Sequence, residues 1–458
     1  MLEKYTFQSF YGNISITMEL KLRRKIETVL EKYYETDQGK ILLVDGARQT
    51  GKSYIIRETA KKAFKNYIEI NLFEDKHGSQ LFSTVDTVDK FNLTVSLFTG
   101  NISDDEARDT LIFLDEIQEY PQLLPLLKFI NQKGRYRYIC SGSALGVELS
   151  KTSSIPMGSI SVVRLYPLDF EEYLWAVGVG DDVLSFLKQS FEERKSLEIN
   201  LHDFFINHLR MYLAIGGLPE PLKRHLEGMD IAGIRTLQME IRGFYAADCA
   251  KYDSEHRLQI MRVYNMLPSF MEQKKKRVVY KKINPKSARS DRYAEEFDYL
   301  ISSGVALGVD AVSNPVFPLS ASVTKNLIKL YLNDVGLLSS VLFGTNINAI
   351  IEDVRSINLG SLYETFVAME LSAHNHPLFY YDNRDKGEVD YLINDYDSLS
   401  VLPIEVKSGR DYQIHSSLRK MVGDNEYAIG EGVVLSNSPD VKVVGNIQYL
   451  PIYYAMFL

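Results

Sequence analysis

The segment Gly46-Ala47-Arg48-Gln49-Thr50-Gly51-Lys52-Ser53 directly follows four apolar residues, Ile41-Leu42-Leu43-Val44. The apolar run is too short for a helix and reads as a buried parallel strand. Lys52 to Ala63, downstream, reads as a helix. A strand that turns through glycines into a helix brings successive backbone N–H groups, and the positive helix end, to one point with no Cβ in the way. G-x-x-x-x-G-K-[ST] is met at every fixed position, and the chemistry this pattern serves is phosphate binding. Lys52 is expected to neutralise β- and γ-phosphates, and the Ser53 hydroxyl to ligate magnesium. Gly46, Ala47, Arg48, Gln49, Thr50, Gly51, Lys52, Ser53 and Tyr54 form the expected ATP-binding set, with Arg48 bracing the loop.

A second apolar run, Leu111-Ile112-Phe113-Leu114, ends in Asp115 and Glu116. Adjacent carboxylates at the end of such a strand are costly unless a cation compensates them. Asp115 is expected to hold the magnesium through its water shell, and Glu116 to polarise the water that attacks the γ-phosphate. Tyr67 to Leu72, Arg137 to Cys140 and Val162 to Leu165 also read as strands, and Leu20 to Tyr34 as an amphipathic helix. Strands alternating with helices predict a parallel sheet covered on both faces, an α/β domain. Tyr138 to Ser143 ends in small polar residues; Ser143, or failing it Ser141, is the candidate that senses the γ-phosphate. An arginine from a neighbouring subunit or domain would complete such a site, which makes a homo-oligomer an open expectation. Arg164 and Arg242 are the candidates.

The chain has 458 residues, 45% of them hydrophobic and 24% charged, and a net charge of -8. That balance argues against coating nucleic acid non-specifically but leaves room for a local basic groove. Cys140 and Cys249 form no disulfide framework and read as buried thiols of a cytoplasmic protein. No uninterrupted apolar stretch is long enough to span a membrane, and residues 1–18 do not read as a signal peptide. Four parts are expected: a leader over 1–19, the ATPase domain over 20–168, a helical and winged-helix-like region over 169–315, and a small α/β domain over 316–458. The most basic run, Met271 to Lys282, reads either as a solvated helix end with a strand or as a winged-helix surface touching DNA or RNA.

With these residues in place, the chain resembles a large prokaryotic family of AAA-type ATPases that carry a C-terminal domain of undefined role. The resemblance runs from about residue 20 to the end. It rests on GARQTGKS, IFLDEIQ, SGSALGVEL, IPMGSISVVRLYPLDFEEYLWAVG, YLAIGGLPEPL, FYAADCAKY, IKLYLNDVGLL, GSLYETFVAMEL, EVDYLI and PIEVKSG. It implies ATP binding, and a winged-helix-like segment near residues 230–310.

In the last part, Gly360 to His374 reads as an amphipathic helix, and Phe379 to Tyr381, Glu388 to Ile393 and Val401 to Val406 as strands. Glu364, Asp390 and Glu405-Val406-Lys407 in this order resemble the restriction-endonuclease-like core. Residues i and i+2 of a strand share a face, so Glu405 and Lys407 lie side by side. If the last two strands form a hairpin, Asp390 comes near Glu405. Asp390 and Glu405 are then the candidate magnesium ligands, with Glu364 approaching from the helix and Lys407 orienting water. The proline before Ile404 is expected at a strand start, where it removes nothing essential. Three readings stay open for this part: a nucleic-acid cutter or binder, a docking module governed by nucleotide state, and a handle for a protein client.

Overall fold

Alternate residues of the short apolar strands point to opposite sides, and both sides are buried. Ile41 and Leu43 of β3 (Ile41–Asp45), Ile112 and Leu114 of β5 (Thr110–Asp115), and Cys140 of β6 (Arg137–Gly142) face one core. Leu42 and Val44, Leu111 and Phe113, and Ile139 face the other. Helices Val88–Thr99 and Leu127–Lys133 supply the first core, through Phe91, Val95, Leu127 and Ile130. Helices Ile26–Glu35 and Lys52–Ala63 supply the second, through Ile26, Leu30, Ile55, Ile56 and Ala60. With β4 (Asn66–Asn71) and β7 (Ile160–Arg164) the strands form a five-stranded sheet in the order β4-β5-β6-β3-β7, every neighbour parallel. Burial on both faces is why these strands read as continuous apolar runs.

This computed structural model describes residues 5–9, 12–16, 21–36, 39–100, 102–133, 135–143, 145–146, 158–249, 257–273, 275–278, 283, 293–352, 357–408, 413 and 415–458. The chain divides into two compact units, Arg23–Tyr166 with Ser302–Gly304, and Met1–Leu22 with Pro167–Ile301 and Val305–Leu458. The first of these holds the parallel sheet. Its opening helix begins at Ile26, not at Leu20. The reason lies in Lys21, Arg23, Arg24 and Lys25: four cations at a helix N-terminus would oppose its dipole. Arg24 is instead drawn away to donate to the carbonyls of Thr50 (3.0 Å) and Tyr166 (2.7 Å).

In the other unit, residues with no clear periodicity form an antiparallel hairpin, β1 (Tyr5–Ser9) against β2 (Gly12–Ile16). From Pro167 to Ser302 the described elements are helices, the longest being Ile199–Ile215 and Ile231–Cys249. Part of the run Met271 to Lys282, where a winged-helix surface is one reading of the sequence, lies outside the described residues: 274 and 279–282. A mixed sheet follows, built from β8 (Ala306–Val312), β9 (Val323–Leu332), β10 (Phe379–Asn383), β11 (Gly387–Asp395), β12 (Ser400–Lys407), β13 (Gly432–Ser436), β14 (Lys442–Val444) and β15 (Ile447–Pro451). Its order is β14-β15-β13-β12-β11-β10-β8-β9. It starts at residue 306, ten residues before the boundary expected from sequence.

The helix Gly360–Ala373 is not amphipathic, because Ser361 through Ser372 are all buried. Its polar positions are met internally: Thr365 donates to the Ser361 carbonyl at 2.6 Å, and Glu370 accepts from the Phe170 N–H at 2.9 Å. The proline before Ile404, Pro403, sits inside β12, opposite Leu392, and not at its start. Pairing with β13 begins only at Ile404, so the proline falls where one edge of the strand is not yet paired.

Candidate functional site

The expected phosphate loop runs from the end of β3 into the helix Lys52–Ala63, through left-handed backbone at Gln49 (φ 64°) and Gly51 (φ 92°). A Cβ at Gly46 would collide with the Leu165 carbonyl, so this position admits only glycine. Thr50 Oγ1 closes the loop on the Ala47 carbonyl at 3.0 Å. Lys52 is buried, and its ammonium donates to the carbonyls of Gly46 (2.9 Å) and Ala47 (2.8 Å). Burial lowers the Lys52 pKa, with Glu116, Asp45 and Asp115 pulling the other way. Tyr54 is exposed, and Arg48 reaches out over the Phe73 ring (5.9 Å) and toward Glu119 (4.0 Å).

Neighbouring strand ends bring the acidic pair alongside. Burial raises the Asp115 carboxyl, against hydrogen bonds from Ser141 and Ser53. Ser141 is therefore bonded to Asp115. Glu116 adopts φ 57° and ψ 48°, a left-handed position unusual for a residue with a side chain. Its carboxylate accepts from the Gln118 amide, and Ser143 Oγ stands 3.5 Å from it. Gln118, which the sequence alone did not single out, is almost fully buried and grips Ser143 twice: its Nε2 lies 3.3 Å from Ser143 Oγ, and its Oε1 accepts the Ser143 N–H at 3.2 Å. Gly142 leaves the space this amide needs. Ser143, Gln118 and Glu116 thus form one connected group.

The two arginine candidates are engaged elsewhere. Arg164 Nε pairs with buried Asp45 at 3.0 Å, immediately before the phosphate loop. Arg242 donates to the Asn265 carbonyl (3.2 Å) and lies over the Tyr264 ring. Cys140 is a free, buried thiol whose pKa burial raises strongly. The side chain of Cys249 lies outside the described residues.

The second expected site is a cluster within the mixed sheet. Tyr391 pairs with Ile404, which sets Asp390 beside Glu405 in an antiparallel hairpin. Asp390 Oδ2 accepts the Val406 N–H at 2.8 Å, and Lys407 Nζ donates to Glu405 Oε1 at 2.6 Å. Glu364 accepts from Tyr331 Oη at 2.9 Å and is ion-paired with Lys276. Lys329, buried in β9, pairs with Glu388 at 2.7 Å. The charges act on one another. Burial, then the charge of Glu364, pushes Asp390 up to about 6. Burial, then the charge of Asp390, pushes Glu405 up to about 8. Glu364 is held low despite burial, by Lys276 and Lys329. Lys329 and Lys407 are held high despite burial, Lys329 first by Glu388 and Lys407 first by Glu405. As they stand, no group of three acidic, histidine or cysteine side chains among the described residues is arranged to hold a metal ion. No described helix is long and apolar enough to cross a membrane.

Residues 38–174 match the family model of an AAA domain. Residues 206–348 and 359–455 match two domains of unknown function, DUF8612 and DUF4143. The chain therefore carries an AAA-type P-loop ATPase domain, a unit that binds and hydrolyses nucleotide, followed by two regions of undefined role. Among solved structures it is similar to a Walker-type ATPase of Pyrococcus abyssi, at 13% identity and a TM-score of 0.40, over 70% of this chain and 95% of that one. It is also similar to Cdc6p from Pyrobaculum aerophilum, at 10% identity and a TM-score of 0.25, over 73% of this chain and 96% of that one. A third is the RuvB Holliday junction branch migration motor of Thermotoga maritima, at 13% identity and a TM-score of 0.29, over 62% of this chain and 86% of that one. No curated protein matches the chain.

Proposed function

We propose that the chain is a magnesium-dependent ATPase whose nucleotide state switches or remodels a bound partner. The observation that carries this reading is the meeting of three adjacent strand ends. The phosphate loop leaves β3, the carboxylate pair ends β5, and Ser141 and Ser143 close β6, in the sheet order β5-β6-β3. Lys52, now turned onto loop carbonyls, is the cation that a triphosphate would draw away. The Ser53 hydroxyl and Asp115 carboxylate, bonded to each other, are hard oxygen donors and fit magnesium. Magnesium, when bound, neutralises charge on the β- and γ-phosphates. Glu116 orients and deprotonates the attacking water, and Ser143 reads the γ-phosphate.

For the C-terminal part, Glu364, Asp390, Glu405 and Lys407 are read as a hydrolytic core for phosphodiesters. A second reading, a docking module that cuts nothing, draws on the basic run. Arg277 is paired with Asp382 and Lys276 with Glu364, both largely buried, so these two cations are withheld from nucleic-acid phosphates.

Lys52→Ala is expected to remove nucleotide binding in calorimetry. Glu116→Gln is expected to keep binding while turnover falls about 100-fold. Hydrolysis by Glu116→Gln at the parent rate would remove Glu116 as the base. A parent protein that takes up no adenine nucleotide with magnesium would end the reading.

A further inference from the structure

In the most basic run of the chain, Lys276 and Arg277 are turned inward, their side chains 14% and 19% exposed, while Lys275 is exposed. Lys275 lies 3.8 Å from Asp382, Arg277 is paired with the same carboxylate, and Lys276 puts its ammonium on Glu364. Lys276 adopts φ 45°. A left-handed residue with a long side chain persists only where its surroundings over-determine it. Here the surroundings are carboxylates: the Lys276 side chain is 14% exposed and that of Glu364 9%.

Across the cluster, one acceptor stays without a donor. Glu405 Oε1 takes Lys407, but Glu405 Oε2 is buried and has no hydrogen-bond partner. A buried carboxylate oxygen in that condition calls for a cation or an unseen ligand. Three lysines supply positive charge to Glu364, Asp390 and Glu405, and they are not equivalent. Lys329 and Lys407 are fixed in β9 and β12. Lys276 lies past the end of the helix Arg257–Met271, in a turn whose Lys276 N–H is bonded to the Gln273 carbonyl at 3.1 Å. It can withdraw without taking a strand apart.

We propose that Glu364, Asp390 and Glu405 form a divalent-cation site whose cation in this conformation is the chain's own Lys276 ammonium, so that metal uptake and docking of residues 275–277 exclude one another. This rests on reading the three carboxylates as a hydrolytic core. The coupling has a chemical consequence. While docked, the segment denies the core its metal and keeps Lys276 and Arg277 from a phosphate backbone. Undocking restores both together.

The test uses the full-length, nucleotide-free protein titrated with Mn2+, with free ion read by electron paramagnetic resonance. Lys276→Met keeps the side-chain stem and removes the charge. It is expected to bind one Mn2+ at least about tenfold more tightly than the parent, and Lys276→Met with Asp390→Asn is expected to lose that ion. In the parent, saturating Mn2+ is expected to speed amide exchange over residues 275–278, and not in Asp390→Asn. An unchanged melting profile and ATP affinity show that each variant is folded. If Lys276→Met binds Mn2+ no better than the parent, the exclusion is wrong. If the parent takes up an Asp390-dependent ion while exchange over 275–278 stays unchanged, the exclusion is wrong and the hydrolytic core stands. If no variant takes up an Asp390-dependent ion, both fall.

Discussion

Gln118 holds the Glu116 carboxylate with its amide nitrogen and the Ser143 N–H with its amide oxygen. A side chain nearly sealed from solvent that bridges these two is a positioning residue: it fixes where the carboxylate points and ties that direction to the serine. Its removal should therefore affect the chemical step and spare binding. Gln118→Leu is expected to lower kcat about ten- to a hundredfold, the cost of losing the orientation of the proposed base, Glu116, with KM for ATP within about twofold of the parent. Gln118→Glu keeps the shape but sets a second carboxylate against Glu116. It removes the amide donor and sets like charges against each other, and is expected to lower kcat at least as far as Gln118→Leu. A KM that rises in step with the fall in kcat would show that Gln118 merely supports the loop.

Among the helices, Ile199–Ile215 carries a titrating group with a calculable effect. Burial lowers His208 to about 4 from 6.5. Its ring packs edge-on to Phe204 at 4.5 Å and to Tyr173 at 6.2 Å. The folded state thus keeps the neutral imidazole, while the unfolded chain binds a proton below pH 6.5. Stability is full above that pH and is lost as pH falls toward 4. A shift of this size corresponds to roughly 3 kcal/mol, reduced by solvent at a partly exposed ring. Chemical denaturation between pH 7 and 4 should show the loss, and His208→Gln should flatten it. Equal slopes for parent and variant would assign the acid sensitivity to other groups. The elements themselves were unevenly legible. β3 and β5 stand out because both faces are buried and nearly every residue is apolar. β9 does not, since Lys329 interrupts its pattern, and the partner that makes the lysine tolerable, Glu388, lies far along the chain. The helix Gly360–Ala373 reads as amphipathic for the same reason: its polar residues look solvated until their buried partners are known. The same holds for the sites. The phosphate loop is contiguous and reads directly, whereas Gln118 gains meaning only from Ser143, 25 residues on, and Lys276 only from Glu364, 88 residues on.

For the whole molecule, the chain enters the smaller unit at Arg23, leaves it at Tyr166 and returns for Ser302–Gly304. The smaller unit has its own cores, one on each face of the parallel sheet, and the larger has another beneath the mixed sheet. Separate cores predict separate cooperative transitions. The residues proposed to hold the nucleotide all belong to the smaller unit, so ligand binding should act on its unfolding alone. At free ATP one hundred times the dissociation constant, linkage gives about 2.7 kcal/mol. Scanning calorimetry of the full chain should therefore show two transitions, with magnesium and a slowly hydrolysed ATP analogue raising one and leaving the other in place. Lys52→Ala should abolish the shift without moving the second transition. A single transition that moves as a whole would mean that nucleotide energy reaches the mixed sheet, and with it the Glu364 cluster, through the cooperativity of the entire chain.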